Sequence, residues 1–204
     1  MTKIQSICVF CGSSPGRKPV YLRAAEDLGR EIIRRGMTLV YGGASVGLMG
    51  TVARTVMDAG GRVIGVIPES MKDQEIAQEG RLEMYVVSSM HARKAKMAEL
   101  SDAFIALPGG FGTLEEIFEV VTWAQLGIHT KPCGLLNVAG YYDQLLAFLD
   151  HTVDEGFIYG LHRDVVLMAE DSSAMIDRML SYKPVRHSKA HWVRQMSSGS
   201  FSDR

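Results

Sequence analysis

Ala103-Phe104-Ile105-Ala106-Leu107-Pro108-Gly109-Gly110-Phe111-Gly112-Thr113-Leu114-Glu115-Glu116 is the stretch that decides the fold. An apolar run stops at a proline, passes through three glycines, and restarts as a helical pattern headed by a threonine and two glutamates. Strand, tight turn and helix in that order build a layered α/β sheet. The same turn suits an anion. Glycines let the backbone approach closely, and the first free N–H groups of the helix, with the positive end of its dipole, face one point. The expectation is a phosphate cradle with a carboxylate, Glu116, one turn into the helix.

Outward from this stretch the pattern repeats. Apolar runs at 4–10, 37–41, 62–67, 83–87, 103–107, 132–137 and 164–168 read as strands, and helical periods fall near 19–35, 46–59, 89–101, 113–127, 140–155 and 172–182. Alternation of this kind predicts a single-domain, doubly wound, Rossmann-like fold. Its mostly parallel sheet has about seven strands, with helices on both faces. The predicted domain spans 1–185. From 186 to 204 the chain loses its apolar period, through Ser197-Ser198-Gly199-Ser200, and reads as a loose tail.

With 204 residues and 47% hydrophobic content, the chain is long enough for one sizeable core. A net charge of -1, from 22 basic and 23 acidic residues, leaves no electrostatic footprint for nucleic acid or an anionic membrane. Small molecules are the expected partners. No stretch approaches the roughly 20 apolar residues of a membrane span, and Met1-Thr2-Lys3-Ile4 runs straight into a strand pattern, so the cytoplasm is the expected location. Three cysteines, Cys8, Cys11 and Cys133, suggest no disulfide framework. Cys8 and Cys11 lie three apart in a strand pattern, on opposite faces, and read as structural.

In such a sheet, ligands bind at the carboxyl ends of the strands, so the loops there are the places to look. The second loop, Gly42-Gly43-Ala44-Ser45-Val46-Gly47-Leu48-Met49-Gly50, does not keep the G-x-G-x-x-G spacing of a dinucleotide fingerprint. Nor does any glycine run end in the G-K-[ST] of a nucleoside triphosphate loop. NAD and ATP are therefore not expected. Gly43 and Ser45 are open to two readings, a tight turn packed on the sheet or a wall beside the ligand.

Arg93 is the second informative residue. On a helical projection centred on Met97, Met90 falls near about +20°, Leu100 near about -60° and Arg93 near about -40°, inside the apolar stripe, with Lys94 flanking it near about +60°. A guanidinium there must be paired with a buried carboxylate or must reach an anion, since burying it alone is costly. Glu116 also has two readings. Thr113-Leu114-Glu115-Glu116 fits the capping box S/T-x-x-E, with the threonine as cap and the glutamate reaching back to it. A glutamate at a helix N-terminus is equally suited to act as an anionic base or a stabiliser of positive charge.

Two of these segments together, Pro108-Gly109-Gly110-Phe111-Gly112-Thr113-Leu114-Glu115-Glu116 and Met90-His91-Ala92-Arg93-Lys94, resemble the paired signatures PGGxGTxxE and MHxRK of the LOG (LONELY GUY) family. These are cytokinin riboside 5′-monophosphate phosphoribohydrolases, long labelled lysine decarboxylases. The resemblance extends over roughly residues 4–180, through Val9-Phe10-Cys11-Gly12-Ser13-Ser14, Tyr41-Gly42-Gly43, Val63-Ile64-Gly65-Val66-Ile67-Pro68, Trp123-Ala124-Gln125-Leu126-Gly127 and Gly134-Leu135-Leu136-Asn137. Ala44 stands where a third glycine is common. Two motifs in register are far more specific than one glycine loop.

The resemblance implies hydrolysis of the N-glycosidic bond of a purine nucleoside 5′-monophosphate, either N6-prenylated AMP or AMP, to free base and ribose 5-phosphate. It implies Arg93 and Glu116 as the catalytic pair. Substrate contacts carry over to Glu75, Met90, Lys94, Gly109, Gly110, Phe111, Gly112, Thr113, Leu114, Glu115 and Thr122. A homodimer with the site near its interface is implied as well, and neither cofactor nor metal; the six histidines show no ligand-like spacing. Two rivals come from other classes: a non-enzymatic nucleotide-binding module of the same fold, and a pyridoxal-phosphate lysine decarboxylase. The latter needs a lysine placed for a Schiff base, and the sequence singles out none.

Overall fold

The computed structural model describes residues 3–71 and 82–184. In chain order the elements are β1 (Ser6–Phe10), α1 (Pro19–Arg34), β2 (Thr38–Tyr41), α2 (Gly47–Asp58), β3 (Val63–Pro68), β4 (Leu82–Val87), α3 (Met90–Glu99), β5 (Ala103–Ala106), α4 (Phe111–Gln125), β6 (Cys133–Leu136), α5 (Asp143–Asp154), α6 (Gly160–Arg163), β7 (Val166–Ala169) and α7 (Ser172–Ser181). All seven expected strands form, and they join in one sheet of order β4-β3-β2-β1-β5-β6-β7 with every pairing parallel. Among the described residues no helix is long and apolar enough to cross a membrane. The expected loose tail, 186–204, lies outside them.

Side-chain alternation along the central strand divides the core into two layers. Ile7 and Val9 face the layer of α1, α2 and α7, where Leu28, Ile32, Val52 and Ile176 are buried. Cys8 and Phe10 face the layer of α3, α4 and α5, with Met97, Ile117, Val120 and Leu149. A sheet covered on both faces has buried strands, which is why β1, β2, β5 and β6 read as continuous apolar runs. Each fully buried aliphatic side chain contributes about 1.5–3 kcal/mol. The cysteines follow the expected geometry: Cys8 is in one layer, Cys11 in the other, and both thiols are free.

Two helix starts differ from the sequence pattern, and one short helix was not expected. Helix α4 begins at Phe111, two residues before the expected start, because Gly110 takes the extended cap conformation (φ -92°, ψ -152°). Helix α5 begins at Asp143 and not near 140, since a 3₁₀ turn at Val138–Gly140 intervenes with Ala139 in the left-handed region (φ 51°). Helix α6 has four residues, too few to show a period.

Strand order fixes where a ligand can enter. The chain runs outward from β1 to β4, returns across the sheet, and continues outward on the other side from β5 to β7. The switch point is between β1 and β5, and the crevice outside their carboxyl ends is where open α/β sheets bind ligands. The glycine turn of 108–112 leaves β5 at that crevice.

Candidate functional site

At the switch point the two central strands end in register, Phe10 beside Ala106. The ladder continues past both ends: Leu107 N donates to Phe10 O at 2.9 Å and Gly12 N to Pro108 O at 3.1 Å. The turn after β1 is thereby joined to the turn after β5. Loop 42–50 closes the third side, with Leu48 N donating to Gly12 O at 3.1 Å.

The glycine turn is open to solvent at Gly110, Phe111 and Gly112, and Phe111 is 94% exposed. No side chain caps α4. The capping-box reading is therefore overturned: Gly110 occupies the cap, Thr113 is the third residue of the helix, and Glu116 points elsewhere. An uncapped N-terminus leaves its first N–H groups for a ligand. Gly109 has no room for a side chain; a Cβ there would overlap Thr113 Oγ1 and stand 2.8 Å from Gly12 N.

Glu116 turns inward to Arg93. Ser89 caps α3, accepting from Ala92 N at 3.1 Å, and this sets the helix so that Arg93 projects under the strand ends. Its guanidinium donates in three directions: Nη1 to Glu116 Oε1 at 2.9 Å, Nε to Val66 O at 3.1 Å and Nη2 to Gly42 O at 3.3 Å. Arg93 and Glu116 are 8% and 6% exposed, so the pair sits inside the protein at the inner wall of the cradle. Both halves of the ion-pair reading are thus present. Burial pushes the Glu116 carboxyl above its ordinary value, opposed by the positive charge of Arg93. The helix N-terminus does not hold it low, as its position in the sequence had suggested, because loss of water outweighs the charges facing it.

Lys94, the next residue of α3, is buried as deeply as Arg93. Its ammonium bonds Glu115 Oε1 and reaches Glu119 Oε2 at 3.2 Å. The hydrogen bond it donates to Glu115 holds the lysine above its ordinary value. Met90 is exposed at the start of α3. Leu114 is half-buried behind the turn.

Thr122 is not brought to this cluster. It shares the face of Glu115 and Glu119, but seven residues from Glu115 is about 10 Å along a helix, and its hydroxyl is bonded to Phe118 O at 2.7 Å. Gly43 is in the left-handed region (φ 89°) and accepts from Tyr41 at 3.4 Å, while Ser45 O accepts from Arg54 at 2.8 Å. Loop 42–50 is a packed turn, and its contact with the pair runs through Gly42. Glu75 lies outside the described residues.

Sequence reasoning missed Gly42, Val66, Glu119 and Tyr141, whose hydroxyl donates to Gly109 O at 2.7 Å. Glu119 was within reach, because it stands four residues from Glu115 on one helix face. The carbonyls of Gly42 and Val66 leave no trace in a side-chain pattern.

A family model described as possible lysine decarboxylase matches residues 49–179. The chain is similar to a cytokinin riboside 5′-monophosphate phosphoribohydrolase of Arabidopsis thaliana, 50% identical over 194 residues, covering 94% of this chain and 85% of the relative. It is also similar to a probable enzyme of the same name from Oryza sativa subsp. japonica, 54% identical over 183 residues, covering 90% and 87%. Among solved structures, a molybdenum cofactor binding protein from Rippkaea orientalis superposes with a TM-score of 0.66 at 25% identity, covering 89% of this chain and 98% of that one.

Proposed function

The chain belongs to the LOG family of cytokinin riboside 5′-monophosphate phosphoribohydrolases, and from this membership we propose that it hydrolyses the N-glycosidic bond of a purine nucleoside 5′-monophosphate. The products are the free base and ribose 5-phosphate, and the substrate is an N6-prenylated AMP or AMP itself. The observation that carries the reading is the buried Arg93–Glu116 pair, 2.9 Å apart, one and a half turns behind an uncapped glycine turn at the switch point.

The nucleotide's phosphate rests on the N–H groups of 109–113, which brings the ribose C1′ toward Glu116. The C1′–N bond breaks with its electron pair going to the base, and positive charge develops on the sugar. Ionised Glu116 stabilises that charge and orients the water whose oxygen bonds to C1′. The water's proton leaves through the carboxylate to solvent, and the base takes a proton from water. Arg93 is charge balance and support: an arginine stays protonated, so it gives no proton, and three of its five N–H groups are bonded to the protein. Lys94 and Glu115 flank the entrance.

Against the decarboxylase rival, Lys94 is held as an ammonium between two carboxylates, whereas a Schiff base needs a neutral amine. The test is direct. Purified protein given AMP and N6-isopentenyl-AMP is expected to release free base from one or both, followed by chromatography. Tight nucleotide binding with no base release would establish a binding module instead. A cytoplasmic homodimer is part of this proposal, the dimer being supported by the exposed Leu126 and Ile128 just beyond the end of α4.

Gly42 gives a second test. A Cβ there would overlap Arg93 Nη2 and stand 3.0 Å from Cζ, so Gly42→Ala displaces a flexible side-chain end and leaves the backbone alone. The expected result is a kcat/KM lower by roughly 100-fold, since a misplacement of about 1 Å at a reacting site has that effect, with a smaller loss of thermal stability. Unchanged kinetics would show that the placement of Arg93 does not matter.

A further inference from the structure

We propose that Tyr141, which belongs to neither sequence motif, is a positioning residue that sets the site's preference for a 5′-phosphorylated ligand. The inference rests on the reading of 109–113 as the phosphate cradle.

A cradle made of backbone N–H groups works only if each peptide plane is held at the right rotation. In a trans peptide the carbonyl and the following N–H point opposite ways, so a donor that holds one carbonyl aims the next N–H. Four consecutive carbonyls of this turn are held. Leu107 O accepts from the Tyr142 hydroxyl at 2.7 Å and Pro108 O from Gly12 N at 3.1 Å. Gly109 O accepts from the Tyr141 hydroxyl at 2.7 Å and Gly110 O from Leu114 N at 3.1 Å. The last three aim the N–H groups of Gly109, Gly110 and Phe111.

These four bonds are not equally replaceable. The Pro108 carbonyl is held by a backbone N–H that extends the ladder between β1 and β5, and the Gly110 carbonyl makes the first turn of α4. Around Gly110 there is open space: a Cβ there would meet nothing within 4 Å. The peptide between Gly109 and Gly110 has no side chain on either flank, and the space beside Gly110 gives it room to rotate. The hydroxyl of Tyr141 is what holds it. Were it released, rotation would turn a carbonyl toward the anion in place of an N–H.

Tyr141 is itself preorganised. Its ring meets Tyr21 edge-on at 5.8 Å and Tyr142 at 4.9 Å. The turn that carries it is tied by Asn137, which donates to Asp143 at 2.7 Å and accepts from Tyr142 N at 2.7 Å. Tyr141 is 42% exposed, so removing its hydroxyl opens no cavity.

Tyr141→Phe keeps both ring contacts and deletes one hydrogen bond. We expect KM for AMP to rise about five- to tenfold, the effect of one neutral hydrogen bond, with kcat within about twofold. Ribose 5-phosphate, titrated calorimetrically, is expected to weaken by the same factor, while inhibition by adenine stays as in the unsubstituted protein. Unchanged ribose 5-phosphate affinity would overturn the inference. Equal weakening of adenine and ribose 5-phosphate would also overturn it, since that is general loosening. The titration needs no turnover. Protein that binds ribose 5-phosphate through Tyr141 without hydrolysing AMP would support this inference while refuting the hydrolase reading, and protein that binds none would refute the cradle and Tyr141's role together.

Discussion

Glu116→Gln is expected to lower kcat/KM for AMP by at least about 10²–10³-fold while leaving a folded protein. Glutamine keeps an oxygen where Arg93 Nη1 donates at 2.9 Å, so the contact survives and only the negative charge is lost. Losing one preorganised group that faces developing charge in a dry site typically has this magnitude, about 2.7–4 kcal/mol. Glu116→Ala removes the contact as well and is expected to melt lower than Glu116→Gln. The pH profile gives an independent check. Burial raises the Glu116 carboxyl above its ordinary value, so the fraction ionised falls while the pH is still above the usual glutamate range. The acid limb of kcat/KM should therefore lie above about pH 4.5 and vanish in Glu116→Gln. Near-normal turnover by that variant would remove Glu116 from the chemistry.

The different parts of this site left different marks in the sequence. The inner strands, buried on both faces, need continuous apolar runs and were legible for that reason; the half-buried edge strands β4 and β7 were legible as short apolar runs between helical periods, and Gly and Pro punctuation located the turns. Arg93 was legible because a charge in an apolar stripe is costly and has to have a partner. Glu116 was ambiguous because a capping box and a buried base share one spelling. Only the start of α4 at Phe111, with Gly110 as cap, separates them, and that start is set by the φ and ψ of a glycine. Tyr141 left no mark at all. It reaches Gly109 across 32 residues, through a turn that includes a left-handed Ala139, and neither periodicity nor spacing reports such a contact.

Removing the other half of the pair should be felt as strongly in stability as in activity. Arg93→Ala leaves a carboxylate buried without its counter-charge, and leaves the carbonyls of Gly42 and Val66 without a donor. Breaking a buried pair from one side costs about 3–5 kcal/mol, which at this chain length lowers Tm by roughly 6–20 °C. Arg93→Lys should recover only part of this, because one ammonium on a shorter reach cannot satisfy acceptors lying in three directions. The sign of the pH dependence identifies the cause. Without Arg93 the strongest attraction on the Glu116 carboxylate is lost and only the more weakly acting Lys94 remains, so its carboxyl rises further above the ordinary value. A group raised in the folded state binds its proton more tightly there, so it favours folding below the unfolded value, and that stability is lost as pH rises through the folded value. Arg93→Ala should therefore melt closer to the unsubstituted protein at pH 5 than at pH 8. Adding Glu116→Gln should restore part of the lost Tm at pH 8, because it removes the stranded charge. Additive losses in the double variant, with no dependence on pH, would mean that Arg93 supports the fold through the two carbonyls alone and that its charge has no bearing on Glu116.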